Sequence, residues 1–220
     1  MAESRSTEGP ELGLRERKKQ RTRELIAETA RRLFSERGFD RVTIAEVARA
    51  AEVSEQTVFN YFPTKEDLVY WRLESFEEEL LATVREREPG ESVVQAFGRF
   101  VLRRRGLLAR PEPDARERLT ELTRTITESP ALLAREREIF ERYTASLAAL
   151  IAEEVGAGAE DVTPWVVANA LMGVHRALID RARRRIVAGT PSPRLNRDVR
   201  VQGERALAVL EGGLESYGVR

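Results

Sequence analysis

Helix-start punctuation recurs along this chain and period-two alternation does not, a contrast that restricts the fold more than any other feature of the sequence. Thr43-Ile44-Ala45-Glu46 and Ser92-Val93-Val94-Gln95 are capping boxes. In each, a hydroxyl can accept the backbone N–H three residues on while the Glu or Gln side chain reaches back. Ser54 caps a further helix, as does Thr64 with Asp67 at its third helical position. Ser129-Pro130 and Thr163-Pro164 pair a cap with proline at the first helical position, where the missing N–H costs nothing. Behind such starts the apolar residues keep helical spacing. Ile26, Ala30, Leu33 and Phe34, at i, i+4, i+7 and i+8, form one stripe. The expectation is an all-α chain of nine helices without a sheet.

The first helix runs from about Leu14 to Gly38, a glycine placed as a left-handed C-terminal cap. The second starts at Thr43 and fades at Ala51, and the third runs from Ser54 to about Tyr61. Pro63 stops it and pushes Phe62 toward extended geometry. The fourth continues from Thr64 through Leu73 toward Arg87, ahead of Pro89-Gly90. Others are expected from Ser92 to about Leu108, Asp114 to about Thr127, Ser129 to near Val155 and Thr163 to near Val187. A loop from Gly189 to Pro193 precedes the last, roughly Asn196 to Tyr217.

Composition limits the chemistry. With 41% hydrophobic residues in 220, a sizeable core is available, and 34% charged residues suit long helices with solvated faces. Thirty-seven basic residues balance 37 acidic ones, so any nucleic-acid binding must come from local clustering. The absence of cysteine excludes disulfides, thiolate catalysis and cysteine-held metals, and a single histidine excludes a multi-histidine site. No paired-carboxylate or nucleophile constellation stands out, so an enzyme on a helical bundle is the weaker rival, and no cofactor is expected. The polar start is unlike a signal peptide, and the apolar stretch Trp165 to Val174 is too short for a bilayer. A cytoplasmic protein with no membrane partner is the simplest expectation.

Only Ala51-Glu52-Val53 separates helices two and three, the spacing of a helix-turn-helix. In such a pair the second helix enters a major groove while the first braces the phosphate backbone. Ser54, Glu55, Gln56, Thr57 and Asn60 offer hydrogen-bonding side chains near the start of helix three, while Val58 and Phe62 can point inward. Upstream, Arg15, Arg17, Lys18, Lys19, Arg21 and Arg23 face only Glu16. Positive charge there opposes the helix dipole, which favours a phosphate-binding explanation. Arg103 to Arg105 and Arg181 to Arg185 lie near helix C-termini, where cations are stabilised anyway.

The run Gly38-Phe39, Val42 to Ala48 and Val53 to Leu68 resembles the tetracycline-repressor (TetR) family in order and spacing, over roughly Arg17 to Val69. The resemblance implies a dimeric, ligand-responsive regulator, more often a repressor, that binds a near-palindromic operator. It implies that Thr43 binds a phosphate through its hydroxyl and amide. It implies further that Gln56, Thr57 and Asn60 face bases or nearby phosphates, and that Tyr61 and Lys65 hold the backbone. Three positions depart from the family pattern: Glu52 and Gln56 stand where glycine is usual, and Phe59 where tyrosine is. A left-handed Glu52 would carry about 1 kcal/mol of strain, and Gln56 could read a base edge directly.

The expected organisation is a disordered arm at 1–13, a helix-turn-helix DNA-binding domain at 14–68 and a helical regulatory domain at 69–220. In the last, Phe97, Phe140, Trp165, Asn169, Met172 and His175 are the candidate lining of a small-molecule site, since aromatic groups with a few polar ones suit such a cavity. Two accounts of His175 stay open: a satisfied core histidine, or a polar group facing a ligand. The final two helices carry more apolar residues than one stripe needs, among them Val167, Leu171, Val174, Leu178, Ala206, Leu210 and Leu214. By the resemblance, that excess pairs the two helices with a second copy. A constitutive DNA-binding protein without a ligand is the remaining alternative.

Overall fold

The computed structural model describes residues 13–103 and 115–213. The arm expected at the start, the stretch from Arg104 to Leu108 and the end of the last helix near Tyr217 lie outside the described residues. These contain ten α-helices, one 3-10 turn and no strand. They form two compact units that divide between Trp71 and Arg72.

The first unit holds α1 (Leu14–Arg37), α2 (Ile44–Ala50), α3 (Glu55–Tyr61) and α4 (Asp67–Tyr70). The predicted stripe of α1 is its core face: Ile26, Ala30, Leu33 and Phe34 are buried, with Ala27 beside them. Helix α1 lies against α2 and α4, and α2 against α3, with Val47, Ala48, Val58 and Leu68 buried among them, and Phe34 sets its ring edge-on to Phe39 at 4.9 Å. Gly38 ends α1 with its N–H on the Phe34 carbonyl at 2.8 Å. Its φ of 83° comes with ψ 147°, outside the left-handed helical well expected for it. That region is essentially reserved for glycine, so the turn depends on backbone freedom.

The fourth expected helix is in fact two. Thr64 is not the cap expected of it, because α4 begins only at Asp67 with Glu66 before it. Thr64 and Asp67 instead bond reciprocally across the preceding turn, with Thr64 N–H on Asp67 Oδ2 at 2.9 Å and Asp67 N–H on Thr64 Oγ1 at 3.3 Å. After α4, however, the chain tightens into a 3-10 turn, Trp71–Leu73, before α5 (Glu74–Arg85). The break coincides with a side chain on the backbone, the Tyr143 hydroxyl donating to the Leu73 carbonyl at 2.7 Å. Such insertions disturb a helical ladder.

The second unit continues with α6 (Val93–Val101), α7 (Ala115–Glu128), α8 (Pro130–Val155), α9 (Thr163–Val187) and α10 (Ser192–Glu211). The Ser92–Gln95 box and the Ser129 cap form as predicted. Thr163 does not cap α9; its N–H donates to Asp161 Oδ1 at 2.8 Å, so an aspartate two residues earlier does that work. The loop before α10 is shorter than expected, because Pro193 sits in the first turn and its fixed φ already suits a helix. Helix α9 lies against α7, α8 and α10. Arg183 reaches Glu136 of α8 at 2.5 Å, and Arg181 reaches Asp198 of α10 at 2.6 Å. Leu171 and Leu178, read above as part of a partner surface, are buried within the single chain. The outer side of α9 shows Val162, Trp165 and Val166 instead. No helix among the described residues is long and apolar enough to cross a membrane.

Candidate nucleic-acid interface

Thr43 caps α2 reciprocally with Glu46. Its Oγ1 accepts the Glu46 N–H at 3.3 Å, while Glu46 Oε2 accepts the Thr43 N–H at 2.8 Å and its hydroxyl at 3.0 Å. Arg37 adds a guanidinium at 2.7 Å on Glu46 Oε1. The Thr43 amide, then Arg37, hold the Glu46 carboxyl down to about 2. Both Thr43 groups that the resemblance assigns to phosphate are therefore occupied by a carboxylate of the protein itself.

The turn that follows is tight. The Val53 N–H returns to the Ala48 carbonyl at 2.9 Å and the Glu52 N–H to Arg49 at 3.2 Å. Closing it puts Glu52 at φ 55°, the left-handed conformation for which glycine is the easier residue. Helix α3 then starts at Ser54, whose Oγ accepts the Thr57 N–H at 3.0 Å and pairs with the Thr57 hydroxyl at 2.8 Å. Val58 and Phe62, both fully buried, fix which way α3 is rotated. Glu55, Gln56 and Asn60 are exposed, and so is the Phe59 ring, at 44%. Gln56 Nε2 donates to Asn60 Oδ1 at 3.0 Å. Tyr61 is half-buried at the end of the helix.

Lys65 takes a position that the sequence did not announce. Its ammonium donates to the Phe39 carbonyl at 2.6 Å and stands 4.1 Å from the centre of the Phe39 ring. Burial lowers its pKa from the ordinary lysine value, with Asp40, Glu66 and Glu46 working the other way. The ammonium thus ties the turn after α1 to the start of α4, and two of its three hydrogens remain for other acceptors. Lys18 is exposed in the basic first turns of α1, with Arg15, Arg17, Lys19 and Arg21. Arg23 turns inward, its guanidinium 5.6 Å from the Phe62 ring and 5.7 Å from Trp71.

The six candidate ligand residues divide. Phe97 and Met172 are buried, and Phe140 packs against His175 at 5.6 Å between ring centres. Trp165 is 49% exposed and Asn169 is exposed, its amide donating to the Trp165 carbonyl at 2.8 Å. Those two share the outer face of α9. The sequence reading omitted Phe76, which stacks on His175 at 4.9 Å and on Tyr143 at 5.2 Å and meets Phe100 edge-on at 5.0 Å. Its three partners belong to three other helices, so no local spacing could have singled it out. Among the described residues, no group of three His, Cys, Asp or Glu could hold a metal.

A short half-buried helix, a four-residue turn and an exposed polar helix, in one unit with a cationic α1, define a helix-turn-helix DNA-binding protein with a second, helical unit. The family model for bacterial regulatory proteins of the tetR family matches residues 26–70, and that for the MftR C-terminal domain matches residues 87–192. The transcriptional regulator TcmR of Streptomyces glaucescens is 32% identical over 165 residues, covering 72% of this chain and 70% of that protein. The chain belongs to the TetR family of transcriptional regulators. Its fold is shared with NalD of Pseudomonas aeruginosa, described as the secondary repressor of the MexAB-OprM multidrug efflux pump. There the TM-score is 0.54 at 21% identity, covering 87% of this chain and 96% of that one. It is likewise shared with SmeT in complex with triclosan, with TM-score 0.54 at 18% identity and coverage of 88% and 91%.

Proposed function

We propose that this regulator is a homodimeric repressor, working on DNA in the cytoplasm, that leaves a near-palindromic operator when a small molecule occupies its second unit. The observation that carries the reading is the exposed polar face of α3, held in rotation by Val58 and Phe62 and accompanied by the cations of α1. Lys18 and its neighbours take phosphates. Ser54, Glu55, Gln56, Thr57 and Asn60 line the side of α3 that faces the groove, with Tyr61 and the free hydrogens of Lys65 at the flanking backbone. Thr43 joins them once a phosphate displaces the Glu46 carboxylate.

Regulation is a protein function here, with no cofactor and no chemistry on the effector. The ring cluster of Phe76, Phe100, Phe140, Tyr143 and His175, with Phe97 and Met172 buried in the same unit, supports an aromatic or otherwise apolar effector. NalD, a repressor, and SmeT, which binds triclosan, are in keeping with this reading. Trp165 and Asn169 fit the effector site less well than a dimer contact on α9, together with Val162 and Val166. Leu171 is excluded from that contact by its burial.

Selection from random duplex, followed by light scattering of the complex, tests this reading. An inverted repeat is expected, with half-site centres ~34–36 Å or a multiple apart and an even number of chains bound. A single unrepeated site holding one chain would overturn the dimer. An effector that releases the duplex should also raise the melting temperature, and Phe140→Ala should diminish both effects.

A further inference from the structure

Gln56 stands where the family pattern has glycine, so what its amide does belongs to this chain in particular. A primary amide turned over by half a revolution exchanges its donor for its acceptor. A free glutamine on a reading helix can therefore satisfy more than one base edge and discriminates poorly. Here it is not free, because its Nε2 donates to Asn60 Oδ1 at 3.0 Å, one turn further along the same exposed face. With Asn60 Oδ1 as the acceptor, Gln56 is held with its Nε2 toward Asn60 and its Oε1 away from it.

We propose that Asn60 is a positioning residue for Gln56, and that the two amides read the operator as one unit with adenine at the position Gln56 meets. The amide nitrogen of Gln56 carries two hydrogens. With one held by Asn60, the other stands beside Oε1 and forms with it an acceptor–donor pair. That pair is complementary to the N6–H and N7 groups of adenine in the major groove. Asn60, its oxygen engaged, presents hydrogens to an acceptor alongside. The anchoring of α3 by Val58 and Phe62 keeps both amides on the outer face, and Ser54 and Thr57 bond to each other, leaving the pair uncontested. The inference rests on α3 being the reading helix.

The test is operator selection with the full chain and with Gln56→Ala, Asn60→Ala, Asn60→Asp, the double alanine variant and Thr57→Ala. All these side chains lie at the surface of α3, and a melting curve for each confirms folding. The unaltered chain should prefer adenine at one position of each half-site by about tenfold or more. Gln56→Ala and Asn60→Ala should both erase the preference at that same position, the double variant doing no more than either alone. Asn60→Asp still offers an acceptor to Gln56, so it should keep the adenine preference while weakening every site through repulsion from phosphate. Asn60→Ala acting at a different position, or Asn60→Asp losing the preference, would overturn the positioning role. If no variant on α3 changes the preference, Thr57→Ala included, the assignment of the reading helix is at fault and the pair falls with it.

Discussion

Glu52 is the one non-glycine residue with positive φ among those described, and its exposed side chain leaves nothing else to lose on replacement. A Cβ in the left-handed region costs roughly 1–2 kcal/mol, partly offset by the greater entropy glycine gives up on folding. Glu52→Gly should therefore raise stability by about 0.5–1 kcal/mol in urea unfolding, and a loss of stability would refute the strain. Glu46 offers a second test at the same scale. Its carboxyl is depressed to about 2, so the capping box is intact above the ordinary glutamate value and is lost as pH falls through about 2. A carboxyl-carbon NMR titration should find Glu46 near that value, and Arg37→Gln should move it upward. An unshifted Glu46 would mean the box is open in solution.

Helix α10 approaches α6 so closely that a side chain at either of two glycines would have to displace a leucine. A Cβ on Gly98 would come within 2.7 Å of Leu207 Cδ1, and one on Gly203 within 3.1 Å of Leu178 Cδ1 and closer still to Leu102. Neither glycine needs a special φ. Gly98→Val should cost about 1–3 kcal/mol through overpacking. Gly98→Ala should cost less, since Leu207 can turn aside and alanine regains about 1 kcal/mol of helix propensity. Equal stability of both variants and the unaltered chain, read from thermal unfolding, would show the contact to be loose. The ion pairs that α9 makes with Glu136 and Asp198 align it between α8 and α10, a matter of register more than of net stability.

For the molecule as a whole, formal charge is zero, so net charge contributes no attraction to DNA. Binding has to draw on the cations crowded at the start of α1. Each phosphate contact releases counterions, with a slope of roughly 0.9 in the log–log salt dependence. Replacing Lys18 and Lys19 by glutamine should reduce that slope by up to about 2 and weaken all sequences alike. Gln56→Ala should leave it unchanged. Identical slopes for the lysine variant and the unaltered chain, in titrations from low to moderate salt, would remove the basic turn from the interface.

What was legible in the sequence was whatever depends on neighbours within one helical turn. The Thr43 and Ser92 boxes, the Ser54 cap and the buried stripe of α1 are pairings three or four residues apart, and with them came the helix-turn-helix and the exposed polar face of α3. Tertiary packing decided the rest. Whether Leu171 or Val166 points inward, both lying on a helix apolar on more than one side, depends on which helices arrive against α9. The break at Trp71–Leu73 coincides with a hydroxyl on α8, and the place of Lys65 is set by a carbonyl 26 residues earlier in the chain. Phe76 meets His175 and Tyr143 only because three helices converge. Burial and partner choice are made by residues distant in the chain, so a local pattern can name the candidates without choosing among them.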